Sequence, residues 1–110
     1  MSKKAKLLKG AARKSEEVYI ESVDETYTIK SLSAKDLGNY IDYVKSEPGE
    51  LDGIVNLISR CLLDDEGNRM FAEDEVDQLG EIDLSVLLQL ADACQRVSGL
   101  DKEISETKKN

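Results

Sequence analysis

The chain contains no histidine and no tryptophan, one phenylalanine, one proline and two cysteines in 110 residues. Without histidine, no side chain titrates near neutrality by its ordinary pKa, so the usual general base is missing. No serine sits in a GxSxG elbow, and no glycine-rich phosphate loop is present. Catalysis has no visible machinery, and the reading is of a protein that is not an enzyme and needs no cofactor. Cys61 and Cys94 lie far outside CxxC spacing and have no histidine to complete a zinc set. They read as small apolar helix residues in a reducing compartment. No apolar run approaches the ~20 residues of a membrane span, and Leu7-Leu8 is too short for a signal core. A soluble cytoplasmic protein without a membrane partner is expected.

What the chain does have is acid. Lys and Arg number 15 against 23 Asp and Glu, a net charge of −8. The first 15 residues hold six of the basic ones (Lys3, Lys4, Lys6, Lys9, Arg13 and Lys14) and no acid, leaving 9 against 23, or −14, for the rest. So acidic a body repels phosphate backbones, which argues against nucleic acid as a partner. By length this is one domain with a modest core. The predicted organisation is a flexible basic arm over 1–15, a single folded domain over 16–100 and a flexible tail over 101–110.

Residues 18–32 (VYIESVDETYTIKSL) alternate apolar and polar types and are rich in β-branched and aromatic residues, as strands are. They predict a hairpin turning at Val23-Asp24-Glu25-Thr26, with Val18, Ile20, Tyr27 and Ile29 on one face. A lone hairpin is marginal in water, so its edge is a candidate assembly surface. Ser33 then reads as the N-cap of a helix whose stripe is Leu37, Tyr40, Ile41 and Val44, ended by Pro48. Leu51, Ile54, Val55, Ile58, Cys61 and Leu62 continue the spacing of three and four on a second helix. Asp64-Asp65-Glu66-Gly67-Asn68 predicts a tight turn through Asx bonding and a positive-φ glycine. A short helix headed by Glu73-Asp74-Glu75 and ended by Gly80 follows, with Phe71 plugging the junction. Asp83 caps the last helix, which carries Leu84, Leu87, Leu88, Ala91, Cys94 and Val97 and stops at Gly99. The fold class is therefore mainly α (α+β), an N-terminal β-hairpin followed by a compact bundle of about four helices.

The predicted core is Leu51, Ile54, Ile58, Leu62, Phe71, Leu84, Leu87, Leu88 and Ala91. The candidate interaction surface is the arm residues Lys3, Lys4, Lys6, Lys9, Arg13 and Lys14, with Tyr19 and Tyr43 as exposed aromatics. A calcium loop around Asp64 is rejected on register. With Gly67 as the sixth residue, Glu73 falls at the twelfth, but Leu62 takes the first ligand position and has no side-chain oxygen. No metal site is predicted.

The order of strand pair, Ser-headed helix (29–37, IKSLSAKDL), ISRCLLDDEGNRMFAEDEVDQL and a closing Leu-rich helix resembles the tail assembly chaperones of long-tailed, siphovirus-type bacteriophages. The resemblance covers about residues 17–99, and departs from the family's pattern at Ala72, where Ser or Thr often caps. It implies a nonenzymatic protein that coats and solubilises the tape-measure protein, helps recruit the tail-tube protein, and is absent from the mature virion. It also implies a frameshift-extended form of the same chain, for which Lys108-Lys109 offers an A-rich coding stretch. Self-association through the hairpin edge or the arm is expected for a protein that lines a long client. The alternative reading is a small acidic interaction module, an antirepressor or nucleic-acid mimic.

Overall fold

The alternation near the N-terminus becomes an antiparallel pair, β1 (Ser15–Ile20) and β2 (Glu25–Lys30), with Val18 opposite Tyr27 and Glu16 opposite Ile29. Val18, Ile20 and Ile29 are buried and Tyr27 is half-buried, so one face of the pair is apolar. In the computed structural model, which describes residues 2–100, the chain does not reverse at the predicted 23–26 turn. A single turn of 3-10 helix, Glu21–Val23, leads into Asp24 in the left-handed region at φ 51° and ψ 48°. Aspartate is among the few residues that tolerate this conformation. Here its carboxylate accepts a 2.6 Å bond from the Tyr19 hydroxyl.

A third strand, β3 (Leu62–Leu63), pairs antiparallel with β2 through Leu62 opposite Ile29 and Leu63 opposite Thr28. The sheet order is β1-β2-β3, which places β2 at the centre and covers one edge of the hairpin. Leu62 is thus a strand residue and not the last turn of a helix, though it is buried. The acidic turn that follows is built by Asp64, whose Oδ1 accepts from the N–H groups of Glu66 and Asn68 at 2.9 Å each. Gly67 sits at φ 85°, a conformation costly to any residue with a Cβ.

Four α-helices and a longer 3-10 helix complete the described residues. They are α1 (Lys3–Gly10), α2 (Ala34–Lys45), α3 (Glu50–Cys61) and α4 (Leu84–Ser98), with the 3-10 helix spanning Glu73–Glu81. Ser33 Oγ caps α2 by accepting from Asp36 N–H at 3.1 Å, and Asp83 Oδ2 caps α4 by accepting from Ser85 N–H at 3.1 Å. Gly99 ends α4 at φ 76°. Gly80, in contrast, does not terminate its helix. It lies inside the 3-10 segment, and positive φ among the described glycines is confined to Gly67 and Gly99. Nine residues is long for 3-10 geometry. Its first turn is held by Glu75, whose carboxylate accepts from Ala72 N–H at 3.0 Å, one half of a capping box; the other half, a side-chain acceptor at the N-cap, is missing because Ala72 has only a methyl group.

The core lies between the apolar face of the sheet and helices α3 and α4. Ile20, Ile29, Leu57, Ile58, Leu79, Cys61, Cys94 and Ser59 are its most enclosed side chains. Ile58, Leu62, Leu87 and Ala91 are buried, and Ile54 and Phe71 pack half-buried against them. Leu51, Leu84 and Leu88, expected inside, are exposed by 48%, 63% and 48%. Leu51 lies in the first turn of α3 and Leu84 is the first residue of α4, where few neighbours reach them. On α4 the inward residues are Leu87, Leu90, Ala91, Ala93 and Cys94, and Leu88 falls on the flank below Leu84.

Candidate functional site

The basic arm divides into two parts with different attachments. Residues 3–10, predicted flexible, form α1, capped by Ser2 Oγ accepting from Ala5 N–H at 3.1 Å and made of strong helix formers. None of its residues is buried. Lys3, Lys4, Lys6 and Lys9 are exposed, as are Leu7 and Leu8, each by 67%. Arg13 and Lys14 are instead tied to the body at Ser31. Arg13 Nε donates to Ser31 O at 2.5 Å, Lys14 N–H donates to Ser31 Oγ at 2.9 Å, and Ser31 N–H donates to Lys14 O at 2.7 Å. Arg13 Nη2 lies 3.6 Å from Asp36 Oδ2 at the start of α2.

A second anchor joins the sheet to α4 at the same end. Arg96 holds Glu16 in a two-point grip at 3.1 and 2.7 Å and also meets Asp92 at 2.7 Å. Both partners hold the guanidinium proton, pushing its pKa up, the Glu16 hydrogen bond foremost. Leu32 N–H donates to Ser98 Oγ at 3.1 Å nearby. These contacts are polar fastenings around a crevice of about 740 Å³ and use up most of its charged groups.

Tyr19 is exposed by 52%, and its bond to Asp24 holds the phenol above its ordinary pKa. Tyr43, expected on the surface, is half-buried and shares a pocket with Asn56, Arg60, Arg69 and Val76. Correspondingly, Ile41 and Val44 turn outward, exposed by 44% and 43%. The inward row of α2 is thus Leu37, Tyr40 and Tyr43, one row over from the predicted stripe. Val44 and Leu51 flank the 46–49 connection, so the α2–α3 turn carries three exposed apolar side chains with Ile41. Leu84 and Leu88 form a second exposed pair one turn apart on α4.

An apolar cleft of about 240 Å³ has a lining that includes Val23, Tyr27, Met70, Phe71, Ile82 and Val86. Asp83 is also on its wall, and Glu21, Asp24 and Glu81, all exposed, adjoin lining residues in the chain. Periodicity does not reveal this cleft. The only trace in the sequence is that Met70, Phe71 and Ile82 fall outside regular helical stripes. Arg69, next to Met70 in the chain, is tied to α3, its Nε donating to Ser59 O at 2.9 Å and its Nη2 to Ser59 Oγ at 3.1 Å.

The two cysteines meet in the core as free thiols, both buried. Their mutual hydrogen bond and burial push the Cys94 thiol well above its ordinary pKa. Among the described residues no three His, Cys, Asp or Glu side chains converge as a metal site would require. No described helix is long and apolar enough to cross a membrane.

No family model and no curated protein matches the sequence. Among solved structures, the chain is similar to the bacteriophage HK97 tail assembly chaperone, with a TM-score of 0.63 and 23% sequence identity. That similarity covers 88% of this chain and 95% of the HK97 chain, so the whole fold is shared and not a fragment of it.

Proposed function

We propose that the chain is a phage tail assembly chaperone that binds and solubilises the tape-measure protein and helps recruit tail-tube subunits, without catalysis. The observation that carries this reading is the fold likeness to the HK97 tail assembly chaperone over nearly the full length of both chains. The surface supports it physically. A long helical client rich in apolar residues aggregates through those residues, and Ile41, Val44, Leu51, Leu84 and Leu88 offer exposed apolar side chains to cover them. The acidic body around them adds repulsion between coated clients, which keeps the complex soluble. The work belongs in the host cytoplasm before the tail is complete, and the chaperone leaves before the virion is finished. A frameshift-extended form of the same chain, carrying extra sequence after Lys108-Lys109, would link the coated tape measure to tail-tube subunits.

Coexpression with a candidate tape-measure protein, followed by size-exclusion chromatography with light scattering, tests the reading. The expected result is a soluble complex with several copies per client. A client that stays insoluble while this protein elutes alone would refute it.

A further inference from the structure

Helix α1 and the apolar cleft are each incomplete in a single chain. An isolated helix shorter than about 12 residues is marginal in water, yet α1 has eight and buries none of them. It presents Leu7 and Leu8 beside Lys3, Lys4, Lys6 and Lys9. The cleft offers the reverse. Its walls include Val23, Tyr27, Met70, Phe71 and Ile82 with Asp83 among them, and the exposed acids Glu21, Asp24 and Glu81, next to lining residues in the chain, give it an acidic border. At about 240 Å³ it is smaller than the ~300 Å³ at which small-molecule sites begin, and it suits one or two inserted side chains.

We infer that α1 of one copy docks in the cleft of a second copy, Leu7 and Leu8 entering it while the lysines face the acidic border. The two surfaces of one chain are not positioned to satisfy each other. Arg13 and Lys14 are pinned to Ser31 at the Ser15–Lys30 end of the hairpin, whereas the cleft lies at the Ile20–Glu25 end. The six residues of β1 separate them by roughly 17 Å. Docked one way, without reciprocal exchange, such a contact between different surfaces is heterologous, so it leaves a free α1 and a free cleft on every pair and continues head to tail. One short helix buries little area, so each contact is weak and depends on concentration and salt. The inference concerns the protein alone and does not depend on the identity of its client, although an array of this kind would gain avidity along an extended one.

Sedimentation velocity on the full chain over a range of concentrations, at low and high salt, reads this out. The mass should rise with concentration past two copies, and high salt should weaken association about tenfold. Leu7→Asp/Leu8→Asp removes the inserted side chains without touching any buried residue. Val23→Asp/Ile82→Asp closes the cleft from its exposed rim. Each variant alone should be monomeric, and an equimolar mixture should form a heterodimer that grows no further, because only one intact α1 and one intact cleft remain. Should the cleft variant lose its helical circular dichroism, Glu21→Lys/Glu81→Lys replaces it, paired with Lys4→Glu/Lys6→Glu as its charge-restoring partner. A monomeric wild-type protein at every concentration would overturn the inference. So would variants that still assemble, or a wild-type mass that stops at two copies, the outcome expected if free β1 edges pair instead.

Discussion

Two leucine-sized side chains on one helix, alike in sequence pattern, should differ several-fold in what they contribute. Ile58 is fully enclosed in α3, whereas Leu51, two turns earlier, is 48% exposed. Ile58→Ala removes three buried carbons at about 0.8 kcal/mol each, or about 2.4 kcal/mol of transfer energy. The void adds about 24 cal/mol per Å³ wherever neighbours do not collapse, bringing the total to about 3–4 kcal/mol. Leu51→Ala removes carbons that already see water, and alanine is the better helix former, so the loss is about 1 kcal/mol or less. Urea unfolding followed by circular dichroism separates the two. With a slope of about 1.5 kcal/mol/M, the midpoint should fall by about 2 M for Ile58→Ala and less than about 0.7 M for Leu51→Ala. Equal midpoint shifts would refute the assignment of Leu51 to the surface, and with it the argument that this leucine is available to a client. The companion variant Leu51→Asp should leave the urea midpoint within about 0.7 M of wild type while lowering the amount of soluble client on coexpression.

Arg69→Ala should cost about 1–3 kcal/mol by stripping buried Ser59 of two hydrogen bonds, and Arg69→Lys should recover little, since an ammonium lacks the planar fork that reaches both acceptors. The urea midpoint of the three proteins checks this. The Asp83 carboxyl is held below its ordinary pKa by the Ser85 hydroxyl first and by backbone N–H groups second. A depressed folded pKa means that its stabilisation is complete above the unfolded aspartate value and is lost as pH falls through the folded one. The melting temperatures of wild type and Asp83→Ala should therefore converge on acidification, and a gap that stays constant would contradict the cap. Cys61 and Cys94 are both enclosed, so an aqueous thiol reagent should modify them only as fast as the core opens, reaching full rate in denaturant. Gly67→Ala should cost about 1 kcal/mol or more, because alanine resists the φ of 85° that closes the acidic turn, as thermal unfolding would register.

Features that depend on a residue and its near neighbours were legible in the sequence. The hairpin's alternation, the caps Ser33 and Asp83, the Asp64 turn with Gly67 and the stop at Gly99 each rest on local bonding within a few residues, and each forms as that local chemistry directs. Features that depend on what lies opposite were not. Leu62 and Leu63 extend the apolar stripe of α3, and nothing in their identity distinguishes another helical turn from a strand. The free edge of β2 made that choice by offering backbone partners at Thr28 and Ile29.

The same division runs through the candidate surfaces. Charge and periodicity are properties of residues in order, so the acidic body, the basic first residues and the apolar rows at helical spacing can be read directly along the chain. Which side of each row is covered depends on how the elements pack. Packing buries Leu87, Leu90 and Ala91 while leaving Leu84 and Leu88 in water, and it turns Tyr43 inward while Ile41 and Val44 face out. Periodicity defines a stripe, but burial needs a neighbour, and the neighbours come from parts of the chain distant in sequence.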